Sequence, residues 1–265
     1  MIEVRNINKH LKQVAEVAGL AGRIMLESHA ESYRVEDTVV RILQTSGLSY
    51  CEAVSNTTSL IITLDDEDEN FEPITIVRRI SERGNHLNKI YRVNNISRLI
   101  TSNQISLDEA YERLSVIDES EYTPYSKDLS VAIMVVAFAI LLGGNFWEII
   151  FSFLAGAVVA SARLGKEALN MNEFLYGIFS TMITSFFITL GMDYMPVEMS
   201  SHILIISALM PLYPGTAFTN AIRDTLKGDY LAGLARMTDA GVSALSLAIG
   251  VVIGLSLYNG VSLWL

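Results

Sequence analysis

Leu129–Trp147 reads LSVAIMVVAFAILLGGNFW and carries no charged residue, and beyond Glu148 a second uncharged run, IIFSFLAGAVVASA, extends from Ile149 to Ala162. One helix through both would far exceed the roughly 20 residues that a bilayer takes, so Gly143-Gly144-Asn145 is expected to turn the chain between two short spans. Downstream, Phe174–Met192 is a third uncharged run, closed by Gly191-Met192-Asp193-Tyr194-Met195-Pro196. A fourth segment starts near Val197 and stops at Pro211, because the two prolines of Pro211-Leu212-Tyr213-Pro214-Gly215 cannot be carried through a straight helix. Ala240–Leu265, again uncharged, is long enough to cross alone.

Upstream the chain changes character. The 265 residues hold 19 Lys+Arg and 29 Asp+Glu, but 14 of the basic and 21 of the acidic residues precede Leu129. Charge density therefore falls from roughly 27% to roughly 9% across one boundary, which excludes a single globular domain and a disordered chain. Cys51 is the lone cysteine, so a disulfide scaffold is excluded and a reducing, cytoplasm-facing location fits. Met1–Leu20 interleaves Glu3, Arg5, Lys9, Lys12 and Glu16 with its apolar residues, so no signal peptide is expected. A net charge of −10 and the lack of any nucleic-acid motif argue against nucleic-acid partners and against a polybasic grip on anionic lipid.

The basic residues of the second half orient it. Arg163 and Lys166 lie between spans two and three, Arg223, Lys227 and Arg236 between or beside spans four and five, and Lys127 before span one. All fall on one side, which the positive-inside rule makes the cytoplasm. The expected architecture is a polytopic α-helical membrane protein of about five transmembrane helices with an N-terminal cytoplasmic α+β domain. Its domains are 1–125 and 126–265, with spans at about 128–144, 146–162, 174–192, 197–212 and 236–258. A proline-broken segment and short helix occupy 211–228. The amino terminus is expected in the cytoplasm and the carboxyl terminus outside.

In the first half, Ile7, Leu11, Val14, Val17, Ala18, Ala21 and Met25 recur at helical spacing and predict a helix over 6–29. Tyr33–Thr45 reads as a second helix. The β-branched runs Leu60–Leu64 and Ile74–Val77 flank the acidic turn Asp65-Asp66-Glu67-Asp68-Glu69-Asn70 and predict a hairpin, to which Ser49–Val54 adds a strand. Leu87–Ile100 and Leu107–Ile117 read as helices, the latter opened by a Ser106/Glu109 capping box. The acidic turn lacks the glycine and the closing glutamate of an EF-hand, so it reads as a solvated turn. His10, His29, His86 and His202 share no metal-ligand spacing, and no metal or cofactor is expected. No G-x-S-x-G elbow, P-loop or G-x-G-x-x-G occurs.

Charge and membrane-depth sequence overlap between Pro211 and Asp239. Asn220, Arg223, Asp224 and Lys227 fall at i, i+3, i+4 and i+7 on one helix face, and Arg236, Asp239, Ser243 and Ser246 share another. Pro211, Pro214, Gly215 and Thr216 break the helix and leave backbone N–H groups aimed at an anion. On this reading Arg236 clamps a substrate carboxylate while Asp239 holds an ammonium group or a proton, and Asp229 belongs to the same segment. The alternative is that Arg223, Lys227 and Arg236 mark a cytoplasmic loop, with Arg236 and Asp239 as an i,i+3 pair. Arg34, Glu36, Asp37 and Thr38 form a charged motif in the soluble half, where dipole compensation also accounts for the acids. Glu148 reads as interfacial in preference to intramembrane. The small-residue faces Gly250–Gly254 and Gly156–Ala160 read as helix-packing surfaces.

Ala18-Gly19 to Gly22-Arg23, the run Glu31-Ser32-Tyr33-Arg34-Val35-Glu36-Asp37-Thr38, Pro214-Gly215, and Arg223-Asp224 followed by Gly228-Asp229-Tyr230, Gly233, Arg236 and Ala240 resemble the threonine/serine exporter family. The resemblance implies a secondary exporter of the bacterial cytoplasmic membrane that moves threonine, serine or, in split pairs, a dicarboxylate such as succinate. Long members carry two membrane halves in one chain. This chain resembles the larger subunit of the split type, which implies a second small membrane subunit of the same family and a hetero-oligomer in the lipid bilayer. The competing readings are a regulatory or scaffold subunit and a membrane-tethered, hydrolase-like enzyme built around Arg34, Asp37 and Thr57-Thr58.

Overall fold

The computed structural model describes residues 2–68, 70–81, 84–118 and 123–262. They form two compact units, one of Met1–Glu121 with Thr216–Met237, the other of Tyr122–Gly215 with Thr238–Leu265. Thr216–Met237 thus groups with the amino-terminal segment although it follows most of the apolar helices in sequence.

The first unit opens with α1 (Ile2–Glu27) and α2 (Ser32–Leu43), continues through β1 (Tyr50–Ser55), β2 (Ser59–Asp65) and β3 (Ile74–Arg79), and adds α3 (Leu87–Thr101) and α4 (Leu107–Asp118). The sheet is antiparallel in the order β1-β2-β3, with Val54 opposite Ile61 and Ile61 opposite Val77. The alternation read from the sequence sets its faces: Leu60, Ile62 and Leu64 of the central strand are fully buried. They join Val14, Val17, Ala21, Val35, Val39 and Ile42 in one core. The hairpin expected across the acidic turn is β2–β3; Glu69 of that turn lies outside the described residues. Of the capping box expected at Ser106, the bond from the Glu109 N–H to Ser106 Oγ is formed at 3.2 Å. This unit also receives α9 (Gly215–Leu226) from Thr216 onward and the start of α10 (Tyr230–Ser262).

The second unit contains α5 (Pro124–Leu141), α6 (Phe146–Leu169), α7 (Glu173–Asp193), α8 (Ser201–Leu209) and the rest of α10. Asn145 caps α6 and completes a capping box with Glu148, after Gly143 has turned the chain at φ 79°. A Cβ on Gly156 would lie 2.7 Å from Ala132 Cα, and one on Gly250 or Gly254 would collide with Thr181 or Ser185. Those glycines therefore let α6 approach α5, and α10 approach α7, at backbone distance. At the end where α5 begins and α6 finishes, Arg163 forms a forked pair with Asp128 (2.8 and 3.0 Å) and Lys166 meets Glu173 at 2.5 Å.

Among the described residues, three helices (α6, α7, α10) are long and apolar enough to cross a membrane, or up to four crossings if the bent pair Ser201–Leu212 and Gly215–Leu226 counts as one. The chain is a mostly helical membrane protein. The expected five spans map onto elements of unequal strength: α5 starts on Pro124 with Lys127 and Asp128 close behind, and α8 has nine residues before a 3-10 turn at Met210–Leu212.

Candidate functional site

The face expected on the short helix forms, with Asn220 and Asp224 buried and Arg223 and Lys227 exposed. α9 buries Asn220, Ala221 and Asp224 against the corner between α1 and α2. That corner is shaped by His29, whose φ of 62° ends α1 and turns its carbonyl and that of Ala30 outward from the helix ladder. Asn220 Nδ2 donates to His29 O at 2.8 Å. Arg236, arriving from the first turns of α10, donates through Nη2 to Ala30 O at 2.9 Å and to Ser32 Oγ at 3.4 Å. Its Nε lies 3.0 Å from Asp224 Oδ2, and the two side chains are 6% and 1% exposed. Ser32 Oγ in turn donates to Asp224 Oδ2 at 3.4 Å, while Asp224 Oδ1 is buried without a hydrogen-bond partner among the described residues.

A second ion pair sits beside the first. Glu31 is the residue preceding α2, yet its carboxylate does not cap the helix. It accepts instead from Arg34 at 3.3 Å and from Arg223 of α9. Lys227 Nζ lies over the Tyr33 ring, 5.2 Å from its centroid, inside the roughly 6 Å reach of a cation–π contact. The return into α10 is local chemistry: Gly228 takes φ 92°, and Asp229 Oδ1 accepts from the Ala232 N–H as a helix cap. Gly233 has no room for a side chain, since a Cβ there would be 2.2 Å from Thr225 Oγ1 and 3.0 Å from Ala221 O.

The structure therefore brings Asn220, Arg223, Asp224 and Arg236 together with Glu31, Ser32 and two α1-corner carbonyls. Pro211, Pro214, Gly215 and Thr216 form the half-buried break between α8 and α9, where the Gly215 N–H bonds to Tyr213 O at 2.8 Å. Asp239 is exposed and falls on the portion of α10 in the other unit. Arg34 joins the cluster through Glu31. Glu36 instead accepts from the backbone and hydroxyl of Ser55 at 2.8 and 3.2 Å, tying α2 to β1. Burial pushes its carboxyl above the ordinary range, the Ser55 bonds opposing that shift. Asp37 pairs with Arg41 on the surface at 2.9 Å, and Thr38 Oγ1 bonds to Asn94 at 3.2 Å. With α2 starting at Ser32, neither acid lies in its first turn, so dipole compensation does not account for them.

Sequence reasoning passed over Glu31 and Ser32 as site residues, although both stand inside the quoted motif. It also placed Glu148 at the interface, whereas the side chain is 3% exposed. Glu148 accepts from the Asn145 N–H at 2.7 Å and, across the bundle, from the Ser200 N–H at 2.5 Å. The second partner is 52 residues away and left no mark on local spacing. Within the same bundle, a small void lies among Thr181, Thr184, Ser185, Ile188 and Ile205. The three hydroxyls donate to carbonyls one turn back, at 2.7 to 2.8 Å.

A unit of apolar helices beside a unit that contains a buried ion pair is the construction of a polytopic membrane protein. The chain belongs to the threonine/serine exporter family, whose model, described as "Putative threonine/serine exporter", matches residues 16–258. It is similar to a "Probable threonine/serine exporter" of Mycobacterium tuberculosis, 22% identical over 93% of this chain and 46% of the relative. A "Threonine/serine exporter" of Corynebacterium glutamicum is 23% identical over 92% of this chain and 52% of its own length. The "Probable succinate transporter subunit YjjP" of Escherichia coli is 23% identical over 90% of this chain and 92% of its own length. The chain thus spans about half the length of the two relatives named as threonine/serine exporters. No solved structure matches it.

Proposed function

We propose that this protein is one subunit of a secondary-active exporter that moves small carboxylate-bearing metabolites, threonine and serine or a dicarboxylate such as succinate, out of the cell. It acts with a second small membrane subunit of the same family in the bacterial cytoplasmic membrane. The chain crosses about five times, with its amino-terminal domain in the cytoplasm and its carboxyl terminus outside. The observation that carries this reading is the family match over 16–258, which spans both the apolar helices and the charged unit.

The geometry supports a refinement of the site. Arg236 is 5% exposed and directs donors at Ala30, Ser32 and Asp224, so it serves as a joint between α10 and the amino-terminal segment in preference to a substrate clamp. Substrate passes through the apolar bundle, and the joint sets how the end of α10 is held. Reconstituting the chain with its partner and following efflux of labelled serine, threonine and succinate tests the proposal. Efflux of at least one of these above empty vesicles is expected; no efflux of any of them, with both subunits folded, refutes it.

A further inference from the structure

We infer that the outward face of α10 defined by Gly241, Leu245, Ala248 and Val252 is the surface on which a second membrane half of the exporter packs. These residues stand at i, i+4, i+7 and i+11 and so share one side of the helix. All four are exposed, Leu245 by 57% and Val252 by 62%. The other side of α10 is already used, because Gly250 and Gly254 bring it against Thr181 and Ser185 of α7. Of the three crossing helices α10 is also the least enclosed, 28% of its apolar window being buried against 44% for α6 and 33% for α7.

Gly241 is the informative residue on this face. A Cβ added there would meet nothing within 4 Å, in contrast to one at Gly250 or Gly254. A glycine in a helix interior costs about 1 kcal/mol relative to alanine, and in membrane helices its use is to let another backbone come close. Here no such neighbour exists among the described residues, so the space is kept for a helix that is not part of this chain's own bundle. The occupant is an apolar helix from a membrane half of this family. Two relatives that match nearly all of this chain do so with only 46% and 52% of their own length, so a further half accompanies the matching part in each. The inference rests on the reading of this chain as one part of a two-part exporter, and it adds the place of contact.

A photo-crosslinking residue is placed at Gly241, Ala248 and Val252, with exposed Ile133 and Ile140 of α5 as controls, in the full chain in its native membrane. The expected result is an adduct at the α10 positions with a polypeptide whose sequence aligns to the part of the Corynebacterium glutamicum exporter that this chain leaves uncovered. Adducts with that polypeptide from α5 and not from α10 overturn the inference and leave the two-part reading standing. Adducts with a second copy of this chain overturn it as well. Lipid adducts alone at every position, with no such polypeptide co-purifying, overturn both. Ala248→Leu is expected to lower the co-purified partner about tenfold, equivalent to about 1.4 kcal/mol, with the melting and size-exclusion profiles unchanged. Undiminished co-purification counts against the α10 face.

Discussion

Asp224 and Arg236 are both almost wholly out of water, and each is the other's principal compensation. Removing one leaves the other charge buried, which costs about 3–5 kcal/mol, whereas replacing both with apolar residues of similar volume is often close to neutral. Asp224→Ala or Arg236→Ala alone is therefore expected to lower thermal stability sharply, and Asp224→Leu combined with Arg236→Met to recover most of it. Denaturation of the purified chain measures the difference; equal losses in single and double variants would contradict the pairing. Glu36 gives a pH signature of opposite origin. Because burial raises its folded-state value, its contribution to stability is fully present below the ordinary glutamate value of 4.5 and is lost as pH rises through the higher, folded-state value. Glu36→Gln keeps an acceptor for Ser55 and is expected to flatten that part of the stability–pH curve, as read by melting temperature across a pH series.

The helices meet through their smallest residues, so the seam between α7 and α10 has little tolerance. A side chain at Gly250 would place Cβ 2.0 Å from Thr181 Oγ1 and 2.4 Å from Ile178 O. Gly250→Val is expected to destabilise by about 1–3 kcal/mol through overpacking, and Gly241→Ala, which meets nothing, to stabilise by up to about 1 kcal/mol. Melting of the two variants side by side provides the comparison. Such contacts mark the limit of what the sequence discloses. Helices, strands and the turn at Gly143–Asn145 were legible because periodicity, β-branching and capping are local. The inward face of α9 was legible as a shared face too. What meets it was not: Glu31 and Arg223 are 192 positions apart, and spacing within one helix says nothing about a partner at that distance. For the same reason spacing offered Arg236 an acidic partner only on the loop reading, in its helical neighbour Asp239, and gave no sign of Asp224 on another helix, 3.0 Å from its Nε.

For the molecule as a whole, the reconstituted efflux assay separates a joint from a ligand. If Arg236 holds α10 in place, Arg236→Lys reduces efflux of serine, threonine and succinate by a common factor; a substrate ligand would instead shift the KM of one class of substrate and spare another. α10 runs from Tyr230 to Ser262, and its residues up to Met237 belong to the first unit. Within the first unit, its opening turns meet three segments through the one guanidinium of Arg236, whose nitrogens reach Ala30 O, Ser32 Oγ and Asp224 Oδ2. It works as a keystone: stretches far apart in sequence lean on one planar fork, and lysine, with all its donors on a single nitrogen, cannot span the same three contacts.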